Sequence, residues 1–599
     1  MRRRDLLTRS AAACAPLWLG TQASGASAPL KTLRVAFNTA EVGFDPPQVS
    51  ANTSVVVNAH IFESPLTYDW LARPAKLTTQ TAAALPEVSS DFKRFVFTIR
   101  PGIHFADDAA FKGNEHGQKR ELVAEDYVYT IKRYYDPRVR TEHLYQFENA
   151  KLLGLSELRR RVQKSKQLFP YDEPVAGLRS LDRYRFEVLL AEPDPRFVHV
   201  FANPGLTGAV AREVVEMYGD EIMAHPVGTG PFRLKSWRRG SSIVLERNPG
   251  FREQFFDAVA PEGDVEAHAM VAHLGGRRLP LVDRIDVSII EEAQPRWLAF
   301  VGGELDQLLL PPEFAGVAVP QGRLAPYLAR RGVQMQRAPG AQVKHSFFNF
   351  DDPQVGGYTP EKVALRRAVA LAYDNQAEVR QIFQDQAVPA QSLFAPNTYG
   401  YDAQLKSELS AHDIPRANAL LDVYGYLDRD SDGWRENPDG TPLVLRMAST
   451  SSQRQRQINE LWKKNMDAIG VRMQFEEGTF GELIKRSLAG KLMMWGFTWS
   501  AGAPDGDFFL GLGYGPNADQ SNDARFHLPA FDRIYERQRV LPDGAERSSL
   551  MREANRLLLA YMPYIPHLHP IDTDLCQPRV RGFMRHPFAR DAWRFVDLV

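Results

Sequence analysis

Cysteine is nearly absent from these 599 residues: only Cys14 and Cys576 occur. Cys14 lies in an N-terminal segment that reads as removable, so Cys576 would stand alone and no intramolecular disulfide can form, even in an oxidising compartment. Stability must come from burial. Neither sign of charge is in excess, with 73 basic against 73 acidic side chains, which removes the global field that draws proteins to nucleic acid. Past the N-terminus no apolar run approaches the roughly 20 residues that span a bilayer. Short catalytic signatures are missing too. There is no Gly-x-Ser-x-Gly elbow, His567 and His569 are two apart, and His60 and His104 are isolated. No zinc-type spacing with a third ligand results, and these histidines read as structural. An enzyme would need a site assembled from scattered residues; none is expected, and neither is a cofactor or a metal.

What is present begins with "MRRRDLLTRS", then "AAACAPLWLG" and "TQASGASA": a basic region, a short apolar region and small residues. This is the pattern of a signal peptide, here residues 1–28, with cleavage between Ala23 and Pro29. Arg3 and Arg4 before Asp5, Leu6 and Leu7 resemble a twin-arginine export signal. Ala11 stands where a lipid-anchor motif wants Leu, so Cys14 does not read as lipidated. A periplasmic protein, exported and cleaved, is expected.

The remaining length suits several domains. "LRVAF" sets Leu33, Val35 and Phe37 at period two, and "RFVFTIR" does the same with Phe95, Phe97 and Ile99, so both predict half-buried strands. In "ELVAEDYVYTIKRYY", Val123, Tyr127 and Ile131 recur every four residues and predict a helix. Later, "INELWKKNMDAIG" stripes Ile458, Leu461, Trp462, Met466 and Ile469 on one face, Gly470 caps it, and "VRMQF" alternates after it. Helix, glycine and strand in that order make an α/β unit.

The run "HPVGTGPFRLKSWRRGSSIVLERNPGF", His225 to Phe251, offers a Gly-Thr-Gly that invites a phosphate-binding reading. It lacks the P-loop spacing and its Lys, and Pro231 removes a donor where a nucleotide-binding helix would start. Turn, strand, turn, strand is the physical reading, with Asn248-Pro249 ending the hairpin. The whole string also resembles the signature of the family 5 extracellular solute-binding proteins, the oligopeptide- and dipeptide-binding subunits of bacterial ABC importers. Pro226 to Phe232, Trp237 and Leu245 to Pro249 carry the match. In chain order "FDPPQ", "FTIRPGIHFAD", "LVAEDYVYTIKR", "GGELD", "HSFFNFDDP", "LRRAVALAYD", "LWKKNMDAIGV", "LPAFDRIYERQ" and "YMPYIPHLH" extend it over most of the chain.

The resemblance implies an α/β fold: a two-lobed periplasmic binding protein of class II, cluster C type, with an extra α/β domain inserted in the first lobe. Lobe I would take 29–58, 200–340 and 566–599, the inserted domain 59–199 and lobe II 341–565, with hinge strands crossing near 340 and 565. It implies capture of a peptide or peptide-like solute by lobe closure, delivery to an inner-membrane permease and its ATPase, a monomer and no nucleic acid. In peptide-binding members an Asp three residues after a cleft Trp holds the ligand ammonium. In "FTWSAGAPDGDFF" that alignment puts Trp499 on the Trp and Gly502 on the Asp. Asp505 or Asp507 can substitute from the same loop, or the ligand has no free amino terminus; both readings stay open. Glu41 and Val42 match a first-lobe cleft edge. Each has a plain alternative: a buried aromatic for Trp499, a solvated turn for the two Asp residues, a surface loop for Glu41 and Val42. A secreted hydrolase or chaperone on the same scaffold, and an importer subunit for a non-peptide solute, are the other functions kept. Finally, "DRDSDGWRENPD" places Asp428, Asp430, Asp432 and Gly433 as in a calcium loop, with Asp439 twelfth. Arg435 and Asn437-Pro438 argue instead for a solvated turn.

Overall fold

The computed structural model describes residues 30–49, 51–112, 119–141, 143–407 and 411–599. The signal segment, and part of the long insertion after Phe111, lie outside the described residues. Among the described residues no helix is long and apolar enough to cross a membrane.

The alternating segments form strands where their spacing places them. Thr32–Phe37 pairs in parallel with Arg284–Ile289, and that strand continues into the antiparallel hairpin Phe232–Arg238 and Ser242–Arg247. Leu33, Ile243, Leu245 and Ile285 are fully buried on one face of this four-stranded sheet. A second four-stranded sheet, with Arg94–Thr98 and Arg185–Leu189 at its centre, lies within residues 87–189. Its Phe97 stacks on Phe186 with centroids 4.9 Å apart, and the helix Ala124–Tyr135 lays Tyr127 over the same ring. Each such buried aromatic contributes about 1.5–3 kcal/mol by leaving water.

The third sheet has eight strands. Val444–Ser449 pairs in parallel with both Arg472–Glu477 and Met494–Ser500, and the helix Gln453–Asp467 makes the crossover. Gly470, at φ +67°, turns the chain from that helix into its strand, a conformation glycine adopts without Cβ strain. The long strand Tyr564–Cys576 joins this sheet to the rest of the molecule. Its first half pairs with Gln342–Phe348 and its second half with Gln334–Pro339 and Gln307–Leu309. Residues 334–348 thus run antiparallel along 564–576 as a long ribbon.

The Gly-Thr-Gly turn is a packing device. A Cβ on Gly228 would sit 2.1 Å from the Ile61 carbonyl oxygen, and one on Gly230 2.6 Å from that of His60. Only glycine lets the turn close on the end of the helix Asn52–Ile61. Gly230 N–H donates to Ile61 O, and the Thr229 hydroxyl donates to Glu63. Glu63 has no exposed surface and accepts both arms of Arg252 at 2.6 and 3.0 Å. Burial alone would raise this carboxyl, but Arg252, with Arg594 and Gln80, holds it below the usual range.

Candidate functional site

The ribbon lines two of three neighbouring cavities, one through Gln342, Lys344 and Pro570–Thr573 and one through Ala338–Gln342 and Asp572. A cavity of about 520 Å³ opens against the end of the strand Thr32–Phe37, the Leu309–Glu313 segment and the C-terminal stretch Phe583–Trp593. A second, of about 430 Å³, shares Leu309, Leu310, Pro312 and Arg454 with it and extends over Phe383, Phe480 and Trp495–Thr498. A third space, of about 80 Å³, lies between Ala338–Gln342, Ser500, Ala501 and Arg585–Pro587. The first two are within the size range that takes small solutes. Arg454, on the helix of the large sheet, reaches Glu313 across the cleft at 3.3 Å.

Aromatic and aliphatic groups supply the walls and a few charges supply direction. His586 accepts the N–H groups of Phe588 and Ala589 on Nδ1. Burial, reinforced by Arg73 and Arg590, pushes its pKa down to about 3, so the ring is neutral. Arg585 is held by both oxygens of Asp574 at 2.6 and 2.8 Å. Arg296 is committed to the carbonyls of Ile290 and Glu291. The cleft therefore combines fixed cations, neutral imidazole and apolar surface, a combination suited to holding a polar solute.

The family model for bacterial extracellular solute-binding proteins, family 5, matches residues 76–521. The chain belongs to this family. A family 5 relative, di/tripeptide-binding protein 2 of Pseudomonas aeruginosa, is 26% identical over 97% of this chain and 98% of its own. Another, heme-binding protein A of Haemophilus influenzae, is 24% identical over 93% and 91%. The fold is shared with the periplasmic binding protein DppA of Helicobacter pylori in complex with the peptide STSA: TM-score 0.69, 18% identity, 95% of this chain and 98% of that one. Family 5 proteins of this kind are two-lobed and bind solutes, as the resemblance implied.

The structure distributes the residues singled out by sequence as follows. Trp499 lies at the end of the strand Met494–Ser500, half-buried against Phe508 with centroids 5.4 Å apart, and its indole N–H has no partner. Its neighbours Ser500 and Ala501 line the smallest cavity. Gly502 is exposed, and a Cβ there would meet nothing within 4 Å. Asp505 is buried, with both oxygens on the fully buried Arg547 at 2.6 and 2.7 Å. Asp507 accepts from Gln538 and gives its N–H to Asp505. Glu41 is buried and accepts from the Trp237 indole at 2.6 Å and from Gly240 N–H at 2.7 Å, while Val42 is exposed. None of these six lines the three spaces just described.

Sequence reading did not single out Arg454, Asp572, Arg585, His586 or Arg590. A signal was available for Asp572: it breaks the apolar run "YIPHLHPIDTDLC" inside a strand. His60, His567 and His569 all have hydrogen-bond partners. In the acidic turn, the carboxylates of Asp428, Asp430, Asp432 and Glu436 come within 4.8 Å of one another. Asp432 pairs with Arg472, and Asp439 turns to Thr441 instead.

Proposed function

We propose that this protein is the periplasmic solute-binding subunit of an ABC importer, taking a peptide or peptide-like solute into the cleft and presenting it by lobe closure. The observation that carries the reading is the pair of cavities lined by the ribbon 334–348 and 564–576, in a chain that aligns over 97% of its length with a di/tripeptide-binding relative. Closure around a solute touched by both lobes shifts a two-state equilibrium, and the inner-membrane permease with its ATPase reads the closed form. The subunit acts as a monomer and leaves its solute chemically unchanged. Trp499, Gly502, Asp505, Asp507, Glu41 and Val42 are the family-aligned positions to probe.

A non-peptide solute is the second reading. It is favoured by Gly502 in place of the expected Asp, and by a relative named for heme. Native mass spectrometry of the protein from its own periplasm, followed by denaturing release, decides between them. Peptides released unaltered support the first reading, a non-peptide compound the second, and product fragments with turnover would sink both in favour of an enzyme.

A further inference from the structure

One wall of the 430 Å³ cavity is aromatic. The strand Met494–Ser500 reads Met-Trp-Gly-Phe-Thr-Trp-Ser, so Trp495, Phe497 and Trp499 fall on one face at period two. Their rings run in contact, with centroids 4.7 Å apart from Trp495 to Phe497 and 5.8 Å from Phe497 to Trp499. The first two of them reach the cavity. Phe480, which opens the helix Phe480–Leu488, adds a fourth ring, 5.5 Å from Trp495 and 6.3 Å from Phe497. Thr479 caps that helix by accepting the Glu482 N–H, and Leu483 is buried, so the backbone that carries Phe480 is held in place. Phe480 nevertheless stays 56% exposed, and Leu309, which lines the same space from another segment, stays 48% exposed. Two large apolar side chains left in water on one cavity, continuous with further rings, form a surface that gains free energy when an apolar ligand covers it.

The cations of this wall already have partners: Lys344 is taken by Glu378 at 2.6 Å and Arg454 by Glu313 at 3.3 Å. Arg454 is also a π partner, its guanidinium lying 5.6 Å from the centre of the Phe383 ring, which lines the same space. We propose that this cavity is a receptor for an aromatic ring of the solute, held by ring contacts on Phe480 and Phe497 with the guanidinium of Arg454 beside it. Ring faces and a guanidinium favour a π system over a saturated group of equal size, so the site selects for aromaticity as well as for apolar area. The ring comes from a Phe, Tyr or Trp side chain of a peptide or from a free aromatic compound. The inference rests on the solute-binding reading above and names the part of the solute that the chain discriminates.

The test starts with thermal-shift screening of the unliganded mature protein against two panels. One holds Ala-X-Ala tripeptides with X as Phe, Tyr, Trp, Leu, cyclohexylalanine or Ala. The other holds free benzoate, phenylacetate and indole-3-acetate. Binders are then titrated calorimetrically on the native protein, Phe480→Ala and Phe480→Tyr. Expected is a preference of about tenfold or more for Phe over Ala at X, and of about threefold or more for Phe over cyclohexylalanine, which matches its apolar area without a π face. Phe480→Ala should abolish the second preference and Phe480→Tyr should keep it, a pattern that a general loss of stability would not produce. Aromatic selection in the tripeptide panel assigns the ring to a peptide, and binding in the free-compound panel alone assigns it to a non-peptide solute. Tripeptides bound equally well with Phe and cyclohexylalanine overturn the inference and leave the peptide reading standing, without needing either variant to fold. Silence in both panels overturns the inference and the peptide reading together.

Discussion

At Asp45 a side chain 1% exposed meets Arg133, 2% exposed, through two hydrogen bonds of 2.6 and 2.9 Å. The two residues lie in separate sequence segments, "FDPPQ" and "YTIKR", and their pairing ties the first-strand loop to the helix Ala124–Tyr135. Asp45→Ala leaves the guanidinium buried and uncompensated, so a loss of about 3–5 kcal/mol is expected in urea unfolding. His60 makes a different commitment: one ring nitrogen meets Val56 O at 2.8 Å and the other accepts Trp593 N–H at 3.1 Å. Burial, with Arg594 adding to it, pushes its pKa to about 3 from an ordinary 6.5. Between those values the unfolded chain binds a proton that the folded state refuses. The contribution of His60 is therefore complete above pH 6.5 and is lost as pH falls, by about 1.4 kcal/mol per unit. Relative to the native protein, His60→Gln should show a flatter stability profile between pH 6.5 and 4.5, read from unfolding curves at each pH. Trp499→Ala should weaken solute binding while leaving the unliganded melt within a few degrees. Unchanged affinity would remove Trp499 from the site.

The element that answers most sharply to a single change is the turn Gly228–Pro231. Its backbone lies against the last residues of the helix Asn52–Ile61, and the Gly228 Cβ position is 2.1 Å from a carbonyl oxygen belonging to that element. Backbone on backbone leaves no flexible side chain to yield. Gly228→Ala should cost more than about 3 kcal/mol or prevent folding, as judged by soluble yield and thermal unfolding. Gly240, at the tip of the same hairpin, has φ +64° and open space around its Cβ. Alanine there should cost only about 1 kcal/mol, from the backbone conformation alone. The contrast between two glycines of one hairpin isolates close approach from conformational freedom.

For the whole molecule, the relevant equilibrium is between open and closed lobes. Arg196, at the start of the 3-10 turn Phe197–Ala202, donates to the carbonyls of Leu541, at 3.0 Å, and Arg539. It also lies 4.0 Å from Asp505, so segments distant in the chain are bridged at one guanidinium. Contacts that exist only when the lobes are together bias closure by their own free energy. Arg196→Ala should raise the solute Kd about three- to tenfold and enlarge the unliganded radius of gyration in solution scattering. An unchanged radius with unchanged Kd would show that this bridge persists in the open form.

Local pattern determined a good deal by itself. Period-two alternation fixed the strands at Leu33 and Phe95, four-residue recurrence fixed the helix at Tyr127, and Gly470 marked a helix-to-strand turn, because backbone geometry reads only a few neighbours. The ordered signature segments also sufficed for the two-lobed family. The tertiary structure decided what those segments do to one another. Which carboxylate is engaged depends on guanidinium groups elsewhere in the chain: Arg547 holds Asp505 and Arg585 holds Asp574. Sequence proximity to Trp499 pointed to Asp505 and Asp507, whereas the long ribbon brings residue 572 beside Ser500 and Ala501 across some seventy positions of chain. Electrostatic pairing acts through space over a few ångströms, and only the folded chain sets those distances.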